Sequence, residues 1–154
     1  MQMRRQDKQI LERREMEDII REARFCRLAM SDGQTPYVVP LCFGYEDRKV
    51  YFHSAAAGRK IDLLRKNPRV CVQFDIQQQI RPAAKACDWG LGFKSVIAFG
   101  RAVFIADASA RRHALNLIMS HYAEGQEEFT FSAALMERTA VIRVDIEQMS
   151  GKKS

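Results

Sequence analysis

The chain opens with charged residues wrapped around a single apolar stripe. Met16, Ile19, Ile20 and Ala23 recur at helical spacing, which predicts an amphipathic helix over residues 7–24 with one buried face. From Phe25 the period drops to two. Cys26, Leu28 and Met30 alternate with other residues, and Ser31-Asp-Gly-Gln follows as a hairpin turn. Residues 37–45 form a second predicted strand, broken by Pro40. Glu46-Asp-Arg-Lys supplies the next turn and residues 50–53 a third strand, so the three are expected to make an antiparallel meander. A short helix then turns Ile61, Leu63 and Leu64 inward until Asn67-Pro68 stops it, because a residue before proline is pushed out of the helical region.

Val70, Val72, Phe74 and Ile76 alternate with Cys71, Gln73 and Asp75, the pattern of a strand buried on one face. Residues 77–92 hold three consecutive glutamines, Pro82, Gly90 and Gly92, and read as a long loop of a kind that commonly carries function. A long strand over residues 95–106 follows, with Gly100 as its expected bulge. Ser109 is the expected N-cap of a helix carrying Ala114, Leu117, Ile118 and Tyr122 and ending near Gly125, and residues 139–146 form the last strand. This order lacks the regular alternation of a doubly wound nucleotide fold. The predicted class is mainly β (α+β): a closed or split antiparallel β-barrel with flanking helices in one domain, residues 1–24 being the helix and 25–151 the barrel.

Composition agrees with that picture. The 154 residues are 47% hydrophobic, and a chain of this size buries roughly 70% of its unfolded surface, enough for a core without staples. Disorder is excluded, and no apolar run approaches the ~20 residues a bilayer requires. The basic start is not followed by an apolar segment, so the expectation is a cytoplasmic protein that binds no membrane. Cysteines 26, 42, 71 and 87 form no Cys-x-x-Cys pair and read as reduced core thiols. The histidines at 53, 113 and 121 lack the spacing of zinc ligands, so no metal is expected.

Charge changes the picture once it is located. The chain has 25 basic and 19 acidic residues, a net +6, and residues 59–101 alone hold nine basic against three acidic. A concentrated excess of this kind wants an anion. The stretch from Tyr51 to Asp62 ends a strand with Ser54, passes through three alanines and Gly58, and opens a helix with Arg59 and Lys60. Backbone N–H groups at a helix start carry positive partial charge, and small residues let a phosphate approach them, so the segment reads as an anion cradle. The plainer reading makes Arg59 and Lys60 solvated first-turn residues. Cations at that helix end oppose the macrodipole, which favours a compensating anion.

Other chemistry is sparse. There is neither a Gly-x-x-x-x-Gly-Lys-Ser loop nor a Gly-x-Gly-x-x-Gly fingerprint. Nothing indicates that Ser54, a histidine and an aspartate converge as a triad. His113 and His121 read as surface or satisfied histidines, and the carboxylates of Glu46-Asp47 and Glu127-Glu128 as solvated turns. A cofactor carrying its own reactivity accounts for so little acid, base and nucleophile machinery.

The order Tyr37-Val-Val-Pro-Leu-Cys-Phe-Gly-Tyr45, Val50-Tyr-Phe-His-Ser54, Gly58-Arg-Lys60, Asn67-Pro-Arg-Val70 and Lys94-Ser-Val-Ile-Ala-Phe-Gly-Arg101 resembles the FMN-binding split-barrel proteins related to pyridoxamine 5′-phosphate oxidase, and within them the nitroimidazole-resistance group. The resemblance covers residues 25–151. It implies a homodimer with two FMN sites at the subunit interface. It implies ring contacts from Val38, Val39, Pro40 and Leu41, with His53 and Ser54 beside the flavin and Gly58, Arg59 and Lys60 at its phosphate. Trp89 near the ring and Ser95 near the cofactor's polar groups would arrive from the other subunit, although Trp89 fits a core aromatic equally well. The ending Gly151-Lys-Lys-Ser lacks the arginine and histidine pattern that grips the oxidase's own substrate, so that specific activity is not expected. The expected activity is an FMN-dependent oxidoreductase passing electrons from NAD(P)H to a small aromatic, nitro-type acceptor. His53 is the catalytic candidate, against a purely packing role. Alternatives are haem or deazaflavin in the same architecture, a flavin binder without turnover, and a nucleic-acid face. The last is disfavoured because only Phe74, Trp89 and Phe93 interleave the basic residues.

Overall fold

A computed structural model describes residues 4–123 and 129–154. Strands β1 (Gln9–Ile10), β2 (Cys26–Ser31), β3 (Pro36–Leu41), β4 (Gly44–Glu46), β5 (Lys49–Ala55), β6 (Arg69–Arg81), β7 (Gly90–Phe104) and β8 (Thr139–Lys153) form one sheet. Its order is β3-β2-β6-β7-β8-β5-β4, with β1 added beside the end of β8 and every pairing antiparallel. The two outermost strands, β3 and β4, are consecutive in sequence and joined by Cys42 and Phe43 alone. A sheet whose opposite edges are tied by two residues has to curl on itself. The result is the expected split barrel, open along the β3/β4 seam.

The expected three-strand meander is therefore two hairpins at opposite edges, β2/β3 and β4/β5, and not one continuous unit. Phe43 is the reason. Its side chain leaves the sheet and plugs the seam, fully buried against Phe74 and His121 at centroid distances of 5.0 and 4.5 Å. Its amide donates to the Tyr122 hydroxyl at 3.1 Å. His121 Nε2 lies 2.8 Å from the Ala23 carbonyl, and His113 lies 2.8 Å from Glu46, so both histidines are satisfied as expected.

Helices α1 (Arg13–Glu22), α2 (Arg59–Lys66), α3 (Ala108–Ser120) and α4 (Ala133–Arg138) surround the barrel. The first starts later than residue 7, because Gln6–Lys8 make a single 3-10 turn and Gln9–Ile10 pair with β8. Asp107 caps α3 in place of Ser109: its carboxylate accepts the Ala110 amide at 2.8 Å, and a full negative charge at a helix start outcompetes a hydroxyl. The expected helix end at Gly125, like Glu127-Glu128, lies outside the described residues. Helix α4 was not anticipated.

The largest correction concerns residues 77–92. Most of them continue β6 and β7: pairing resumes at Gln79 with Gly92 and runs through Ile80–Leu91 to Arg81–Gly90, leaving only 82–89 as a connection. Polar glutamines hide the alternation there because the arm projects into solvent, where neither face has to be apolar. Strand β8 likewise runs past Ile146 to Lys153. The Gly100 bulge is present, with Glu147 of β8 as the extra residue, since Phe99 pairs with Gln148 and Gly100 with Ile146. A Cβ at Gly100 would stand 2.2 Å from the Asp145 carbonyl oxygen. Of the four cysteines only Cys26 is a core residue; Cys42 and Cys87 are exposed, and Cys71 is half-buried in a shallow concavity beside Ala29 and Phe99.

Two clusters fill the molecule. The barrel interior holds Leu28, Phe43, Val50, Phe52, Val72 and Phe74 among others, sealed by α1 and α2. The second cluster packs Ala114, Leu115 and Ile118 of α3 onto Tyr51 and Val141. Neighbouring residues of a strand face opposite ways, so β5 sends Phe52 inward and Tyr51 under α3, and His53 follows Tyr51. Among the described residues no helix is long and apolar enough to cross a membrane.

Candidate functional site

The helix start expected from the sequence after Gly58 is present. Gly58 precedes α2 at φ +117°, a conformation L side chains rarely adopt, and a Cβ there would meet nothing within 4 Å. The space in front of the helix start is thus open. Arg59 places its guanidinium carbon 4.7 Å from the centroid of the Tyr37 ring, which fastens the helix start to β3. Lys60 is half-buried, and burial pushes its pKa below the ordinary lysine value. Among the described residues neither cation has a carboxylate within salt-bridge distance.

His53 sits next to this pair. Desolvation first, and the Lys60 charge second, lower its pKa from 6.5, so the imidazole is neutral at pH 7. It borders an apolar cavity of about 180 Å³ lined by Leu115, Ile118, Phe131, Leu135 and Met136. Arg111 holds the far wall in place by donating to the carbonyls of Met136 and Thr139, the latter at 2.7 Å. Sequence reasoning missed this wall. Ser132, whose hydroxyl accepts the Leu135 amide at 3.3 Å, ahead of Leu135 and Met136 was the available sign of a short helix.

On β3, Tyr37, Val39 and Leu41 pack on the core while Val38, 55% exposed, and Pro40 face outward. This strand pairs only with β2, so its free edge offers backbone N–H and C=O groups to a ligand. Pro40, with no N–H to contribute to a ladder, suits such an edge. Val38 to Leu41, His53, Ser54, Gly58, Arg59 and Lys60 thus occupy one end of the molecule.

Trp89 and Ser95 do not. His53 pairs with Val141 of β8, whereas Ser95 pairs with Lys152 of the same strand. Eleven residues of strand separate these positions, roughly 30–35 Å. Trp89 lies in the 82–89 connection, 56% exposed, its indole N–H donating to the Ala83 carbonyl at 2.8 Å. It is not a core aromatic.

The sequence profile described as pyridoxamine 5′-phosphate oxidase matches residues 12–153. The chain belongs to this family. Its split barrel superposes on a proposed 5-nitroimidazole antibiotic resistance protein from Bacteroides thetaiotaomicron with a TM-score of 0.83 and 34% identity, covering 94% of this chain and 85% of that one. A FAD-binding protein from Mesorhizobium loti is similar as well, with a TM-score of 0.70, 32% identity and coverage of 94% and 96%. An uncharacterized protein of Rhizobium meliloti (strain 1021) is 30% identical over 92 residues, 60% of this chain and 54% of that protein, so the match spans about half the length of that curated relative. The two similar structures are thus described by nitroimidazole antibiotic resistance and by FAD binding.

Proposed function

We propose that this member of the family binds FMN at the α2 start and uses it as an oxidoreductase on a small aromatic, nitro-type acceptor, with NAD(P)H as donor. The observation that carries the reading is the pair Arg59 and Lys60, without carboxylate partners among the described residues, on a helix start opened by Gly58 and bordered by a free strand edge. A phosphate monoester matches two cations and a set of helix-start amides. Bound FMN would supply the redox chemistry, taking hydride from the nicotinamide and delivering electrons to the acceptor.

The chain's own residues bind and orient. Arg59, Lys60 and Ser54 take the phosphate end, and the free edge from Val38 to Leu41 meets the flavin ring. Neutral His53 presents one N–H and one lone pair to an acceptor at the mouth of the apolar cavity. Trp89 and Ser95 complete the site from a second copy, since roughly 30–35 Å of strand keeps them from the first copy's cradle. The working unit is therefore a homodimer in the cytoplasm.

The test is the spectrum and mass of the ligand that copurifies, followed by anaerobic addition of NADH or NADPH. Flavin absorbance that bleaches with nicotinamide and returns with a nitroaromatic is the expected result. A colourless protein that takes up no added FMN, or a haem or deazaflavin spectrum, would overturn the cofactor assignment. Bound flavin that neither donor reduces would leave a binder without this activity.

A further inference from the structure

Past Ile76 the register of β6 against β7 shifts, and Gln77 stands at φ +56° although it is not glycine. A bulge of this kind re-aims the side chains around it. Here it opens a polar cavity of about 580 Å³ between the β6–β7 arm, Lys8 and the end of β8. Lys8, Arg81, Lys94 and Lys153 line it together with Ser154, and its one acidic side chain, Asp7, is held by Arg5 at 2.7 Å. Lys153 is paired with Glu15 at 3.1 Å. Lys8 donates to the Ser154 hydroxyl and Arg81 to the main-chain oxygen of Ser154, each at 2.7 Å. Among the described residues no aspartate or glutamate lies within salt-bridge distance of Lys8, Arg81 or Lys94.

The seat of Arg81 is specific. Its guanidinium lies over Gly92, where a Cβ would come 2.8 Å from Nε and 2.9 Å from Nη2. Any other residue at 92 would displace the head group from the cavity wall. Three cations without an acidic side-chain partner among the described residues, around a concavity too large for one phosphate, select an anion carrying several charges on one small molecule. A nucleic-acid strand would need a stripe with aromatic platforms, and the cavity has only Phe93. The cavity also lies on the arm that carries Trp89 and Ser95, the residues assigned above to the flavin of a second copy.

We propose that this cavity binds the diphosphate of the nicotinamide dinucleotide that donates electrons. The identity of the dinucleotide rests on the flavin reading; the diphosphate site does not. Arg81 and Lys94 take the two phosphoryl groups, and Lys8 closes the site from the N-terminal side.

The first experiment titrates inorganic pyrophosphate into the full-length protein by calorimetry. Arg81→Met with Lys94→Met is expected to weaken binding at least tenfold. Gly92→Ala, which moves the guanidinium without removing a charge, is expected to weaken it severalfold with an unchanged melting curve. The second experiment follows NADPH and NADH fluorescence on binding and the KM for the donor. The double variant should raise both the Kd and the KM at least tenfold while flavin content and the rate at saturating donor stay put. Wild-type protein that ignores pyrophosphate, or variants that retain it, would overturn the site. Pyrophosphate loss with unchanged dinucleotide binding would overturn the dinucleotide. A protein that takes up no flavin yet loses dinucleotide binding in the double variant would uphold this site and sink the flavin reading alone.

Discussion

Strand β8 has two contrasting ends. At Thr139–Val141 it runs beside β5 and α4, where cations stand at a helix start next to an apolar cavity and Lys60 is half-buried. At Gly151–Lys153 it runs beside β1 and the root of the β6–β7 arm, where cations ring a polar cavity open to water. Of the basic residues over 59–101, Arg59 and Lys60 therefore stand apart from Arg81 and Lys94 and do not form one patch with them. A fold that keeps the two pairs at opposite ends of one long strand can combine their residues only by pairing two chains. A two-fold axis lays the end of one strand against the start of the other and does so twice.

The largest expected effect separates the ends by cofactor affinity. Replacing Arg59 and Lys60 by alanine removes two charge-assisted contacts worth about 1.5–3 kcal/mol each. Flavin Kd should rise at least a hundredfold, since every 1.4 kcal/mol is about a factor of ten. Alanine at Arg81 and Lys94 should leave that Kd within about threefold. Equilibrium titration with FMN, followed by flavin fluorescence, reads both. Equal losses at the two ends would break the comparison.

Between the ends stands Gly100. A methyl group there collides with the Asp145 carbonyl at the bulge that bends β7 along β8. Overpacking of this kind costs about 1–3 kcal/mol or more, so Gly100→Ala should lower the melting temperature by roughly 2–4 °C per kcal/mol. Cofactor affinity and pyrophosphate affinity should fall together. Loss at one end alone would mean that the bulge does not couple them.

Much of this was legible in the sequence, though unevenly. Strands with one buried face announced themselves, as Val70, Val72, Phe74 and Ile76 did, because burial on one side imposes a period of two. The helix start at Gly58 was legible too, because its signal is local: a glycine at the end of a strand followed by a helical pattern and a proline stop. The polar arm carried no period, since both faces meet water, and so residues 77–81 and 90–92 read as loop. The wall of the apolar cavity was hidden for another reason. Its residues come from α3, α4 and the segment just before α4, and only the tertiary arrangement puts Phe131 and Leu135 beside His53. Edge identity was equally invisible: Phe43 decides which strands end the sheet by leaving it, and a buried aromatic in an apolar run gives no sign of that.

The half-buried position of Lys60 sharpens the comparison through pH. Its pKa lies below the ordinary 10.5, so the cation is lost earlier in an alkaline titration than an exposed lysine would be. A bound phosphate favours the protonated form. Flavin affinity should therefore hold at neutral pH and fall as pH rises through Lys60's lowered pKa. Lys60→Arg, which keeps its proton throughout, should bind within a few-fold of wild type at pH 7 and lose that alkaline decline. Parallel titrations of flavin and pyrophosphate would expose any common cause, such as alkaline unfolding.

The smallest effect in amplitude addresses the two-chain geometry directly. One variant carries Arg59→Ala and Lys60→Ala; the other carries Trp89→Ala and Ser95→Ala. Each alone should bind little flavin. Unfolded together and refolded at equal amounts, half of the dimers pair one chain of each kind. In such a dimer one site collects every substitution and the other collects none. About a quarter of the wild-type flavin sites should then return, measured by absorbance after gel filtration. A site built within one chain gives no recovery, because every copy still carries a damaged half. Recovery near a quarter fixes which residues of the two chains meet, and it does so without any change in the net charge of the mixture.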